Sequence, residues 1–470
     1  MALPDAALKA LGAVLGEDGL LTAPEDVAAY TFDATPLIGE ASAVALPRSA
    51  DQVAQALRIC NDEGISVVPR GSGTNLSGGT VPSIGDLVLA TVRMDRVIEI
   101  AAENLTATAQ PGVILGKFKK EIEKTGLFYP PDPSSLNVAS LGGTVAESAG
   151  GLSGVKYGTT KDYVIGLEVA LASGELIRVG GKTLKNVSGY DLTHLFVGSE
   201  GTLGVITEIT VRLLPLPEGR KTALAVFDRL DDAAEAVSSI IGRRIVPRSL
   251  ELVDGESMKW IEEYKPTGLP LDAEAILIIE VDGRLVQLDD EMEQVVAACG
   301  EHRAREVRVA QSAEEADALW AARRAHYPAL ARSAPTIIIE DVTVPRHHLP
   351  RMVRFVKEAS QRLGLKVGMV AHAGEGNLHP DIMCDARDAE QMARVDRFIE
   401  ELVREALALG GTLTGEHGVG SLKAPYLSWQ FGEAGVDVMK RIKATLDPNG
   451  ILNPDKLFTE SGLKLSRSCH

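Results

Sequence analysis

The run His372-Ala-Gly-Glu-Gly-Asn-Leu-His379-Pro, together with Gly415-Glu416-His417-Gly418 further along, gathers imidazoles and a carboxylate among glycines. Imidazole nitrogens with a carboxylate oxygen are the donor set that zinc and its first-row neighbours accept. Three protein ligands leave a coordination position open, as a catalytic site requires. Flanking glycines allow the backbone close to a bound group. The competing reading is ordinary loop histidines beside a turn. Against it, three of only nine histidines in the chain fall here. The pattern places each group at the end of a strand.

A second class of chemistry lies upstream. Arg70-Gly-Ser-Gly-Thr-Asn-Leu-Ser-Gly-Gly79 puts small residues directly after the strand-like Ile65–Pro69. Such a loop can turn several backbone N–H groups onto one anion. It is not a Gly-x-Gly-x-x-Gly opening a helix, and it lacks the Gly-Lys-Ser/Thr ending of a P-loop. Gly142–Gly151 and Glu200–Gly204 are two further loops of this kind. Any one of them could be a tight turn. Three in one half of the chain favour a large phosphorylated cofactor laid across several loops.

The elements that must hold these groups follow from periodicity. Ser49 opens a helix with Gln52 three residues later, in the manner of a capping box, and Gly64 closes it. Strands are expected at 86–91, 97–100, 106–110, 164–171 and 176–179, with a helix through Leu115, Phe118 and Ile122. Leu213-Leu-Pro-Leu-Pro217 marks a boundary, since two prolines break any element there. Beyond it strands at 222–227, 275–281, 305–309, 336–344 and 366–371 alternate with helices at 231–241, 286–299, 313–332, 349–363 and 389–409. That texture predicts an α+β domain with helices on one face of its sheet.

The chain of 470 residues exceeds one ordinary core. Its 45% hydrophobic and 24% charged residues are those of a globular protein. A net charge of -17 argues against nucleic acid and anionic membrane as partners. The N-terminal residues lack the basic and apolar regions of a secretory signal, and no apolar run reaches the length of a membrane span. Cys60, Cys299, Cys384 and Cys469 are widely separated, which fits a reducing cytoplasm and excludes an iron–sulfur cluster held by this chain alone.

Taken together, the motif at 69–79, Pro131-Asp-Pro-Ser-Ser135 and Gly142–Gly151 resemble the vanillyl-alcohol-oxidase-type (PCMH-type) FAD-binding fold. With His372–His379, Gly415–Gly420 and Asp447-Pro-Asn-Gly-Ile-Leu-Asn-Pro454, the resemblance narrows to one branch. This is the branch of glycolate oxidase D subunits, D-lactate dehydrogenases and D-2-hydroxyglutarate dehydrogenases. It implies an FAD-binding domain over 1–217, an α+β cap (substrate) domain over 218–420 carrying a metal site, and a segment 421–470 returning to the FAD domain.

It also implies roles for particular residues. Arg70, Gly71, Ser72, Gly73, Thr74, Asn75, Leu76, Gly78 and Gly79 would hold the FAD pyrophosphate. Pro131, Ser134, Gly142, Gly143, Thr144, Ser148, Gly150, Gly151, Ile206 and Asn453 would line the cofactor. No histidine or cysteine occurs between Arg70 and Gly79, so the FAD is expected to be non-covalent. His372, His379 and Glu416 would hold a divalent metal (zinc, manganese or iron), with His417 beside it as catalytic base. Arg323 would bind the substrate carboxylate, with Arg324 next door as the competing choice. His326, His347 and His348 read as surface or helix-start residues, and Trp320 as packing.

The implied reaction is oxidation of a small 2-hydroxy acid such as D-lactate or glycolate. Electrons would pass to an iron–sulfur subunit, an electron-transfer flavoprotein or a quinone. In hydroxyglutarate-specific relatives a threonine and a lysine hold the distal carboxylate; here those positions read Tyr327 and Ile339, with Asp381 nearby. The alternatives are a D-2-hydroxyglutarate or other D-2-hydroxy acid dehydrogenase, an electron-transfer flavin subunit without a substrate of its own, and a zinc hydrolase whose glycine loops are only turns. A homodimer is left open.

Overall fold

The computed structural model describes residues 3–459; Cys469 and the end of the segment 421–470 lie outside the described residues. The described residues divide into two compact units, one formed by 3–149, 159–216 and 416–459, the other by 150–158 and 217–415.

In the first unit a helix α1 (Asp5–Leu15) precedes β1 (Leu20–Leu21) and β2 (Ala43–Ala45). Helix α2 (Ala50–Glu63) begins where Ser49 Oγ accepts the Gln52 N–H at 3.3 Å and ends at Gly64 with φ 66°. The Gln52 side chain reaches back to the Arg48 N–H, one residue beyond the Ser49 N–H that a capping box would use. Strands β3 (Val67–Arg70) and β4 (Leu87–Ala90) complete a sheet ordered β1-β2-β4-β3, in which β2 and β3 run parallel to β4. Its core is aliphatic: Val53, Leu57 and Cys60 of α2 pack with Leu87, Leu89 and Leu11.

The second sheet of this unit comprises β5 (Val97–Ala101), β6 (Thr106–Ala109), β7 (Val164–Ala170), β8 (Leu176–Gly180) and β9 (Val205–Arg212), ordered β5-β6-β9-β7-β8 and antiparallel throughout. Helices α3 (Leu115–Glu123) and α4 (Leu141–Glu147) lie between its strands in sequence. The expected boundary is not free of structure, since Leu214–Pro215 pairs with Leu127–Phe128, but the units divide directly after it.

The second unit is built on an antiparallel sheet. Its strands are β10 (Gly219–Phe227), β11 (Ser249–Asp254), β12 (Ala275–Gly283), β13 (Glu306–Val309), β14 (Thr336–Ile339), β15 (Val342–Thr343), β16 (Lys366–His372) and β17 (Asn377–Cys384). The order is β13-β10-β12-β11-β16-β17-β14, with β15 also on β17. Contrary to the sequence-based expectation, helices cover both faces. Helix α5 (Gly255–Tyr264) packs on one, where a Cβ at Gly368 would meet Trp260 at 2.4 Å. Residues of the helix Ala313–Ser333, including Leu319, Ala322 and Leu330, join the same apolar cluster. The helix Leu285–Glu301 packs on the opposite face, where a Cβ at Gly219 would meet Leu285 at 2.6 Å. The strands are buried on both sides, as β12 shows: Ile276, Leu277, Ile278 and Ile279 are each fully buried. Alternation was therefore absent where a one-sided sheet would have displayed it.

Candidate active site

In the first unit three loops meet. Gly71, at the start of the first, is so close to the second that an added Cβ would lie 2.1 Å from Ser140 Oγ. Ser140 in turn caps α4, its Oγ accepting the Gly143 N–H at 3.2 Å. Gly142 abuts Pro111, and Gly201 of the third loop lies against Pro69. The first loop is braced from within. Asn75 Nδ2 donates to Asp33 Oδ2 at 2.8 Å, and Thr80 Oγ1 donates to Asn75 Oδ1 at 2.9 Å. Arg70 turns inward and donates to the Phe32 carbonyl and to Thr80 Oγ1, with Gly73 (φ 69°) giving room for its guanidinium. Its charge is thus committed to the loop.

Among the described residues none accepts a hydrogen bond from the backbone N–H of Gly73, Thr74 or Asn75. A braced loop with free consecutive donors and no Cβ at its closest approaches suits a diphosphate. The residues therefore fit FAD. Asn453 has a different part: Nδ2 donates to the carbonyls of Gly79 (3.0 Å) and Glu200 (2.7 Å), tying the first loop to the third. Thr144 and Ile206 are buried nearby in sequence order on α4 and β9, Ser148 ends α4 with φ 53°, and Ser134 is exposed.

Two buried acids also belong to this unit. Glu200 accepts the N–H groups of Val419 and Gly420, both at 2.7 Å, and so fixes the loop that begins with Glu416 and His417. Glu147 lies beside it: a Cβ at Gly418 would meet Glu147 Oε2 at 2.1 Å and Glu200 Oε1 at 3.1 Å. Burial pushes Glu200 up to about 7, against the pull of its two N–H partners. Burial first, then the negative Glu200, holds Glu147 well above the carboxylate range. Neither acid was singled out in the sequence.

In the second unit the sheet register brings together two of the metal-type donors, both histidines. His372 ends β16 and is the cross-strand partner of Glu251 on β11, while His379 lies within β17 opposite Val370. Only His372 thus ends a strand; His379 is interior to one, and Glu416 and His417 follow the loop after Gly415. That loop is anchored by the Asp341 carboxylate, which accepts from the Thr414 hydroxyl and the Gly415 N–H. One ligand atom each from His372, His379 and Glu416 falls within 4.8 Å of the others. His417 Nε2 stands 3.9 Å from Glu416 Oε1. The two ring centroids of His372 and His379 are 5.1 Å apart at an interplanar angle of 81°. Two imidazoles and a carboxylate at this spacing are a fitting donor set for a divalent cation.

The helix Ala313–Ser333 lays three donors, at intervals of three residues, onto three carboxylates of the sheet. Trp320 Nε1 donates to Glu280 at 3.0 Å, Arg323 Nε to Glu251 at 2.9 Å, and His326 Nε2 pairs with Asp381 at 2.8 Å. Trp320 is therefore packing with an anchored N–H. His326 is not a surface residue: it is 3% exposed and ion-pairs with a buried aspartate. His347 is exposed and His348 half-buried at a helix start. Glu251, fully buried, also bonds His372 Nδ1 at 2.7 Å through its other oxygen. Burial raises its pKa, but His372 and Arg323 outweigh this and hold it below the usual range. The one sequence cue to Glu251 was a lone acid inside the alternating Ser-Leu-Glu-Leu-Val.

Residues 41–180 match the family described as "FAD binding domain", and residues 216–457 match "FAD linked oxidases, C-terminal domain". The chain is 49% identical to the glycolate oxidase subunit GlcD of Bacillus subtilis, over 93% of each. It is 33% identical to a D-lactate dehydrogenase of Anaerostipes hadrus, over 91% of this chain and 92% of that one. Among solved structures, 4-ethylphenol oxidase from Gulosibacter chungangensis superposes with a TM-score of 0.80 at 21% identity, covering 97% of this chain and 99% of that one. p-Cresol methylhydroxylase superposes with the same TM-score at 18% identity, covering 96% of each, so the vanillyl-alcohol-oxidase-type fold is shared. The chain belongs to the FAD-linked oxidases, on the branch of glycolate oxidase D subunits and D-lactate dehydrogenases, and is an FAD-dependent oxidoreductase.

Proposed function

We propose that this chain oxidises a small D-2-hydroxy acid, D-lactate or glycolate, to the 2-oxo acid, with a divalent metal at His372, His379 and Glu416. The observation that carries the reading is the convergence of those three donors within 4.8 Å, with His417 next in the chain. FAD, non-covalently bound, would supply the two-electron acceptor for this oxidation. A divalent metal there would supply acidity, lowering the pKa of a bound hydroxyl as it does that of bound water.

The chain's own residues do the rest. His417 takes the hydroxyl proton, general-base work that an imidazole commonly does. Arg323 offers its two terminal nitrogens to the substrate carboxylate, because Nε already serves Glu251. The free N–H groups of the first loop hold the FAD diphosphate. We assign FAD binding to 1–217, the substrate and metal to the cap over 218–420, and a return to the FAD domain to 421–470. By extension from relatives named as oxidase subunits, the electrons leave to an iron–sulfur subunit, an electron-transfer flavoprotein or a quinone, in the cytoplasm. No helix among the described residues is long and apolar enough to cross a membrane.

The positions that hold a distal carboxylate in hydroxyglutarate-specific relatives are poorly suited to one here. Tyr327 is 52% exposed, Ile339 carries no donor, and its cross-strand partner Asp381 is an acid already paired with His326. An uncompensated buried charge costs on the order of 3–5 kcal/mol, a few powers of ten in specificity. Anaerobic titration of the yellow protein with D-lactate, glycolate and D-2-hydroxyglutarate tests the reading. Bleaching should be fastest with the monocarboxylates. A colourless protein, or a flavin indifferent to every acid, refutes the activity, and fastest bleaching by the diacid refutes the specificity.

A further inference from the structure

We propose that Glu251 is a positioning residue whose single carboxylate orients both the metal-facing His372 and the substrate-facing Arg323. The inference rests on the metal reading above and adds a residue to it. Glu251 stands on β11, next to β16, and is fully buried. One oxygen meets His372 Nδ1 at 2.7 Å and the other meets Arg323 Nε at 2.9 Å. Each oxygen therefore has a different task.

At His372 the bond selects the tautomer. A carboxylate accepts only, so Nδ1 carries the proton and Nε2 presents its lone pair. A carboxylate behind a ligating imidazole fixes ring orientation and raises its basicity. At Arg323 the bond uses the Nε edge and pins the guanidinium plane. Among the described residues no acceptor meets Nη1 or Nη2, although the side chain is only 9% exposed. Two parallel donors are thus held ready for a bidentate carboxylate, a geometry that lysine could not reproduce. The same anion also compensates the arginine charge in its buried setting. Metal and acid sites are thereby set by one side chain, which couples the two.

An amide cannot serve both neighbours. In Glu251→Gln the oxygen can accept from Arg323, which leaves an NH2 facing His372 Nδ1. The ring must then accept at Nδ1 and carry its proton on Nε2, where it blocks the metal. The alternative amide orientation deprives Arg323 instead. The experiment measures the affinity of the FAD-loaded protein for zinc and manganese by chelator competition, and KM for D-lactate and glycolate. Glu251→Gln is expected to weaken metal affinity about 10–100-fold and to raise KM. The control is Glu280→Gln. Glu280 is an equally buried carboxylate on the neighbouring strand, bonded to Thr222, Arg248 and Trp320 and not to His372. Its variant should keep the wild-type metal affinity, so a loss in both variants would assign the effect to general destabilisation and overturn the proposal. Wild-type affinity in Glu251→Gln would overturn it while leaving the metal reading intact. A wild-type protein that binds neither metal would overturn both. Should Glu251→Gln not fold, Glu251→Asp is read in its place. Its charge is kept but its reach is shorter, and undiminished metal affinity there also overturns the proposal.

Discussion

Glu200 makes the stability of the FAD-binding unit pH-dependent in a way that can be separated residue by residue. Burial holds it at about 7 in the fold, against 4.5 in an ordinary glutamate. The folded state therefore keeps a proton that the unfolded chain releases. Stability from this group is complete below pH 4.5, falls as pH rises, and is exhausted once pH passes about 7. The difference amounts to about 3 kcal/mol. Glu147, raised by its own burial and by the neighbouring Glu200, adds a second negative slope. Glu200→Gln removes the first slope and leaves one of the Val419 and Gly420 N–H groups without an acceptor, at a cost of about 1–3 kcal/mol. Relative to wild type the variant should be weaker at pH 5 and should draw level by pH 8. Glu147→Gln should remove the second slope and leave that of Glu200 in place. The assay is urea unfolding at fixed excess FAD, followed by flavin fluorescence, from pH 5 to pH 9. A Glu200→Gln minus wild-type difference that stays constant across that range would refute the assignment of the buried proton.

Three other outcomes are expected. His417→Asn should slow anaerobic flavin reduction by about two to four orders of magnitude with FAD content unchanged, which stopped-flow absorbance and flavin release will decide. Chelator treatment should abolish reduction by substrate while the protein stays folded and yellow, as circular dichroism and the flavin spectrum would report; full turnover by verified metal-free protein contradicts this. Gly71→Ala should lower FAD affinity at least tenfold in equilibrium dialysis, because its Cβ would stand 2.1 Å from the Ser140 hydroxyl that caps α4.

What could be read from the sequence was local. The cap of α2, the glycine loops and the imidazole cluster are short-range patterns, and their residue types carry the chemistry directly. The helix Leu349–Leu363 was legible to the residue, because its apolar positions recur on one face and Gly364 ends it with φ 62°. Strands β11 and β17 were not legible. Ser-Leu-Glu-Leu-Val-Asp and Asn-Leu-His-Pro-Asp-Ile-Met-Cys mix polar and apolar residues, yet every residue of β17 is buried. Their polar groups are satisfied by partners far away in the chain, such as Arg323 for Glu251 and His326 for Asp381. No local window contains that information. The same cause made His326 look like a surface residue, and it hid Glu147 and Glu200, whose importance comes from a loop more than two hundred residues away.

The Asn453 clasp bears on the order in which the molecule is made. The amide that joins the Gly79 and Glu200 carbonyls, and the Asn453 N–H that meets the Val67 carbonyl, belong to a segment synthesised after the whole span 217–415. Leu452 likewise adds a parallel bridge to Val67 at the edge of the first sheet. At typical synthesis rates of about 5–20 residues per second, the Gly79 loop waits roughly twenty to seventy-five seconds for its tie, and the Glu200 loop roughly ten to fifty. The second unit, nearly continuous in sequence, has its span 217–415 fully synthesised before then. A translation product interrupted before Asn453 would therefore carry the whole span 217–415 and yet lack the amide that ties the Gly79 and Glu200 loops together.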